Sequence, residues 1–199
     1  MKKYLAISAT AFAAAIVLAG CSAENNTGGM SGMNGSSTSG SSASAPATAG
    51  HNAVDTTSAQ MMVPQHSQAV DMSNAILNKQ GIDPRVSALA TKIKAEQGPE
   101  IEKMTGWLSS WKEAGPMSGI TGMTGMMSDD DMKKLDAAQG TEAAKLFLSQ
   151  MVMHHEGAVT MAQTEASNGK NADTVALAKS IVTSQQSEIK DLKDLQAAL

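Results

Sequence analysis

Cysteine occurs once in the 199 residues, and aromatic side chains are nearly absent, with two Trp, one Tyr and two Phe. A single thiol forms no internal disulfide, no Cys-x-x-Cys redox pair and no thiolate metal cage. An interior poor in aromatic and β-branched residues but rich in Ala, Leu and Met favours helices over a sandwich or barrel. Positive charge is also scarce. The 15 Lys and Arg against 19 Asp and Glu leave a net charge of −4, with no basic footprint for nucleic acid. Chemistry in this chain must therefore come from His, Met, carboxylates or hydroxyls, and Met alone supplies 15 residues.

The N-terminus carries Lys2 and Lys3, an apolar run from Tyr4 to Val17, and small residues ahead of Cys21. This is the pattern of a secretory signal over residues 1–20 and is too short to span a membrane. Leu18-Ala19-Gly20-Cys21 resembles the bacterial lipobox, which implies cleavage before Cys21 and lipidation of its sulfur. That places the protein in the bacterial cell envelope, facing the periplasm or the exterior. Residues 21–57, dominated by Ser, Gly, Ala, Thr and Asn, read as a disordered tether, with Met30, Met33 and His51 incidental to it.

From residue 58 to 199 the apolar residues recur at helical spacing. The first helix is expected from Ser58 to Asn78, stopped by Gly81. Asp83-Pro84 starts the second, as N-cap and first helical residue, and its stripe runs from Val86 to Trp111. Gly98-Pro99 predicts a kink or break inside it. A Met-rich joint at 117–132 leads into a short helix capped by Ser128 and holding Met132 and Leu135. A third long helix opens at Thr141 and closes near Asn168-Gly169, and a fourth starts near Asp173. The pattern predicts an all-α antiparallel four-helix bundle.

An internal repeat refines this. The stretch Met62–Met72 aligns without gaps on Met151–Met161, with six of eleven positions identical. Downstream, Ala88-Leu89-Ala90, Ile93, Gln97 and Glu100-Ile101 recur as Ala176-Leu177-Ala178, Ile181, Gln185 and Glu188-Ile189. The fold is thus expected to consist of two similar helical hairpins whose first helices pack together.

At about 100° per residue, Met151, His154, His155, Ala158 and Met161 share an arc of about 120°. Met62, His66, Ala69 and Met72 repeat that face, with Gln65 where the second half has His154. Met at this spacing is commonly flexible core filler, and a lone His on such a face is commonly structural. The return of both in each half, and the adjacency of two costly polar rings at His154-His155, favours metal binding. Thioether and imidazole suit Cu(I) and Ag(I) and give Mg²⁺ or Ca²⁺ nothing. The candidate ligands are Met62, His66, Met72, Met151, His154, His155 and Met161, with Cys21 reserved for lipid. Imidazole ligation is expected to weaken as pH falls, whereas thioether ligation persists.

The Met62–Met72 stretch, the joint Met123–Met132 and the run Phe147–Ala162 resemble domain-of-unknown-function family 305 over about residues 55–199. The resemblance implies a secreted bundle similar to the ferritin-like fold and linked to periplasmic copper binding. The family pattern has His-His where this chain has Gln65-His66.

Enzymatic readings lack support. No residue three before His66, His154 or His155 is Glu, so the di-iron Glu-x-x-His motif is absent. Neither a Gly-x-Ser-x-Gly elbow, a phosphate loop nor a His-Glu-x-x-His pair occurs. Glu100, Glu156, Glu165 and Glu188 read as solvated helix charges or caps. The function expected is non-catalytic copper sequestration, handover or resistance, with a periplasmic copper-handling protein as a possible partner. The alternative is a metal-free helical module that uses the Met-rich surface to bind a protein.

Overall fold

A computed structural model describes residues 50–118 and 122–199. The signal, Cys21, Met30, Met33 and most of the expected tether lie outside the described residues. Among the described residues five helices follow one another: α1 (Ala53–Leu77), α2 (Pro84–Trp111), α3 (Asp129–Ala137), α4 (Gly140–Asn168) and α5 (Ala172–Ala198). The four long ones form the bundle, and no strand occurs among the described residues.

Helix α1 begins five residues before the expected start, which corrects the tether boundary at 57. The cause is a cap of Asn and Asp that the apolar pattern does not report. The Asn52 side chain accepts from the backbone N–H of Val54 and Asp55, and the Asp55 carboxylate accepts from Asn52 N–H at 2.6 Å. His51 is likewise no part of a free tail. Its ring stacks on Trp111 at 4.3 Å and 7°, and its Nε2 lies 3.1 Å from Glu113 Oε1.

Helix α2 starts as expected, with the Asp83 side chain accepting from Arg85 N–H and Pro84 in the first turn. The expected break at Gly98-Pro99 does not occur, since the helix is continuous to Trp111. Pro99 is on the exposed face, while Ile93, Gln97 and Met104 stay buried on the other. Packing of that face outweighs the hydrogen bond that proline removes. Lys112 ends the helix in the left-handed region at φ 60°.

Helix α1 packs along α2, α4 along α5, and the two hairpins meet chiefly through α1 and α4. The helices of each neighbouring pair run antiparallel. Asp55, at the start of α1, accepts from the N–H groups of Lys170 and Asn171 just past the end of α4. Lys92 of α2 reaches Glu188 of α5 at 3.3 Å. This is the pair of hairpins expected from the repeat.

The connection from α2 to α3 is tied down against the bundle. Gln68 donates its side-chain amide to Met127 O and accepts from Met127 N–H, at 2.9 and 2.7 Å. Gln60 holds Ala114 O, and Gln150 holds Asp131 O. Met123 and Met127 are buried. Gly157 makes this seating possible, because a Cβ there would stand 2.3 Å from Thr124 O and 2.7 Å from Gly125 Cα.

The interior divides into two apolar clusters. One holds Met72, Ile76, Ile93, Phe147, Met151 and Leu192. The other holds Ala59, Met62, Met104, Leu108, Ala162 and Ile181. Every long helix passes from one cluster to the other, and at the crossing each contributes polar residues.

Candidate metal centre

Those crossing residues are Gln65 and His66 on α1, Gln97 and Glu100 on α2, His154 and His155 on α4, and Gln185 and Glu188 on α5. Seven of the eight are buried, and Glu100 is exposed by 17%. A polar layer of this kind in mid-bundle costs stability unless each group is paired.

Pairing is incomplete in a specific way. His66 Nε2 lies 2.8 Å from Glu100 Oε2, and His155 Nε2 lies 2.9 Å from Glu188 Oε2. Their Nδ1 atoms are buried without a hydrogen-bond partner, as are both ring nitrogens of His154. The Gln97 side-chain amide and the Oε1 atoms of Gln65 and Gln185 are also unpartnered. The His154 and His155 ring centroids are 6.2 Å apart. Burial drives the His154 pKa well below the ordinary imidazole value, and the neighbouring His155 and His66 push it the same way. His154 is therefore a neutral ring with free lone-pair capacity.

The carboxylates beside this layer are not the solvated charges expected from sequence. Glu188 is 1% exposed and Glu165 is 2% exposed, while Glu100 pairs with His66. Only Glu156, on the surface beside Lys193 at 2.9 Å, fits the expectation. Burial alone would raise the Glu188 pKa, but its hydrogen bond to His155 and the charge of Lys92 hold it below the usual value. Glu96 is pushed up by burial and by the Glu188 charge. The signal that marks Glu100 and Glu188 in sequence is their return in both halves, together with Gln97 and Gln185, inside stripes that are mainly apolar.

The seven expected ligands fall into a layered arrangement. His66, His154 and His155 lie in the polar layer. Met72 and Met151 belong to the cluster on one side, and Met62 belongs to the cluster on the other, against which a half-buried Met161 also packs. All but Met161 are buried. Met161 instead shares the lining of an open groove with Met61. Among the described residues no three His, Cys, Asp or Glu side chains are placed to hold one ion. The other donor type buried beside the layer is thioether sulfur, which suits soft monovalent ions.

Solved structures share this architecture. The chain is 34% identical to a DUF305 protein from Streptomyces coelicolor, with TM-score 0.68, covering 73% of this chain and 91% of that one. A DUF305 fragment from Deinococcus radiodurans gives 26% identity and TM-score 0.69, over 74% and 98% of the two chains. CopM in its Cu(I)-bound form gives 29% identity and TM-score 0.62, over 72% and 96%, and CopM has also been solved in Cu(II)-bound and Ag-bound forms. No curated protein sequence matches the chain. The family model described as a domain of unknown function, DUF305, matches residues 55–196, and the chain belongs to that family.

Proposed function

We propose that the protein binds soft metal ions outside the cytoplasm, Cu(I) foremost and Ag(I) by the same chemistry, and holds them for sequestration or handover without catalysing a reaction. The observation that carries this reading is the set of four unpartnered ring nitrogens on His66, His154 and His155 in the middle of the bundle. Leaving each such group buried and unpaired costs about 1–3 kcal/mol, a cost a fold retains where the atoms have a partner to receive. The copper- and silver-bound forms of CopM support the choice of ion.

The ligand pool is Met62, His66, Met72, Met151, His154, His155 and Met161, from which a given ion takes two to four. The Met residues belong to the two apolar clusters that flank the polar layer, Met72 and Met151 to one and Met62 to the other. Met binds without losing a proton, and His154 is held neutral.

Competition against a colorimetric Cu(I) chelator tests the reading. Wild type is expected to withdraw Cu(I), and both His154→Ala/His155→Ala and Met62→Leu/Met151→Leu to withdraw less. Leu conserves the apolar volume, so its effect reports sulfur rather than packing. Equal competition by all three proteins would overturn the site and favour the interaction module, for which Met117 at 40% and Met153 at 51% exposure are the available surface.

The extracytoplasmic location rests on the signal-like N-terminus, and the lipid anchor on Cys21. No described helix is long and apolar enough to cross a membrane. Cys21→Ser should release the protein from the membrane fraction, and retention after a high-salt wash would refute lipid anchoring.

A further inference from the structure

We infer that Glu100 and Glu188 are positioning residues that select the metal-binding atom of two histidines: each carboxylate holds the Nε2–H of its ring, so that His66 and His155 present Nδ1 to the ion. The inference deepens the proposed soft-metal reading and rests on it, while its statement about the rings applies to the ion-free protein.

Three observations converge. The Nε2 atoms of His66 and His155 lie 2.8 and 2.9 Å from a carboxylate oxygen. The Nδ1 atoms of the same two rings are buried with no hydrogen-bond partner. The two pairs are images of each other, separated by 34 and 33 residues and carried by the repeated α1–α2 and α4–α5 hairpins. One such pair would be an ordinary buried contact. Its duplication, with the same ring atom engaged and the same atom left free, is the arrangement a shared binding layer requires.

The chemistry follows from donor and acceptor inventory. An ionised carboxylate only accepts, so the ring nitrogen it touches carries the hydrogen. In the neutral imidazole that leaves the lone pair on Nδ1. Ligating histidines commonly give their other N–H to a carboxylate, which fixes the tautomer and the ring orientation and makes the ligand more basic. Binding through Nε2 would instead break this bond and leave the carboxylate without its imidazole partner, at Glu188 in a site only 1% exposed. Lys92 Nζ, 3.3 Å from the other Glu188 oxygen, secures that carboxylate from the outside. His154 has no such carboxylate on either nitrogen. Its donor atom is left open, so it is the adaptable ligand and the other two are the fixed ones.

The test is imidazole ¹⁵N NMR of the full chain, ion-free and then titrated with Ag(I). Ion-free wild type should show His66 and His155 as Nε2–H tautomers, and Ag(I) should move their Nδ1 resonances while Nε2 stays protonated. Glu188→Gln keeps an acceptor oxygen and should preserve the His155 tautomer and bind Ag(I) within about threefold of wild type. Glu188→Ala should mix the His155 tautomers, leave the His66 spectrum unchanged and weaken Ag(I) binding on the order of 10- to 100-fold. If Glu188→Ala does not fold, Glu100→Ala reads the same relation on His66, and the wild-type spectra decide the donor atom without any variant. Rings found as Nδ1–H, or Ag(I) displacing the Nε2 proton, would overturn the positioning role while leaving metal binding intact. Nε2–H rings in a protein that takes up no Ag(I) would overturn the metal reading, and donor selection with it.

Discussion

Gln65 donates its side-chain amide to the main-chain carbonyl of His154 at 2.9 Å, across a sequence separation of 89 residues. That separation is the period of the internal repeat, so the two residues occupy equivalent places in the two halves. Equivalent residues that touch must lie next to the axis relating the hairpins. The site is therefore asymmetric at its centre, with an amide locking the hairpins together where the second half has an imidazole.

Replacing Gln65 by His should trade this lock for a ligand. The carbonyl of His154 sits within a helix, so the loss is that of one buried hydrogen bond, about 1 kcal/mol. Gln65→His is expected to melt lower than wild type and to compete more strongly for Ag(I) against a chelator. Unchanged competition would show that the position serves the hairpin contact alone.

Gly157 sets how the Met-rich connection lies on α4. A Cβ at this position meets Thr124 O at 2.3 Å and Gly125 Cα at 2.7 Å, and both neighbours are backbone. Neither moves without lifting the segment and breaking the paired bonds between Gln68 and Met127. Gly157→Ala should destabilise the fold by roughly 1–3 kcal/mol and make the segment around Met123–Met127 more open to protease. A melt equal to wild type, with unchanged cleavage, would mean the contact is not required.

Periodicity and repetition made the bundle legible, because burial on one helix face and its duplication at a constant offset both register as residue patterns. The Met62–Met72 and Met151–Met161 faces were readable for the same reason, and the three histidines do share one layer. Other features were set by tertiary relations. Whether Pro99 breaks α2 depends on which face it occupies, and the start of α1 depends on polar capping by Asn52 and Asp55. Glu100 and Glu188 gain their meaning from histidines more than 30 residues earlier. Taken one at a time, a helical Glu looks solvated, and only its recurrence within an apolar stripe points to the layer.

His51 offers a check on where the folded unit begins. Its ring is the last plate of a stack, 4.3 Å from Trp111, which itself lies 6.2 Å from Trp107. His51→Ala should reduce the near-ultraviolet circular dichroism of the tryptophans and cost about 0.5–1 kcal/mol. An unchanged spectrum would return residue 51 to the tether.

Asp55 and Glu165 should give the bundle a pH dependence of their own. Asp55 is fully buried and accepts from Asn52, Lys170 and Asn171 N–H and from Thr174 Oγ1. Burial works against its charge, yet the hydrogen bonds from Thr174, Asn52 and Asn171 prevail and lower its pKa from 3.8 to about 2. Glu165 is pushed up from 4.5 to about 7 by burial and by its hydrogen bond to Asp55. Beside the Asp55 carboxylate, which only accepts, Glu165 can bond to it only as the neutral acid, donating its proton. The raised group stabilises the fold fully below 4.5 and loses that contribution as pH rises through about 7. The lowered group stabilises above 3.8 and loses its contribution as pH falls towards about 2. His154, whose pKa is lowered by burial, adds an opposing loss as pH drops below its ordinary value of 6.5. The comparison of wild type with Glu165→Gln, rather than either curve alone, isolates the carboxyl pair. Gln keeps a donor towards Asp55 and does not titrate, so the variant should gain on the order of 1–2 kcal/mol on wild type between pH 5 and pH 8. Denaturant melts across that range check it, and parallel curves for the two proteins would show that Glu165 does not hold its proton.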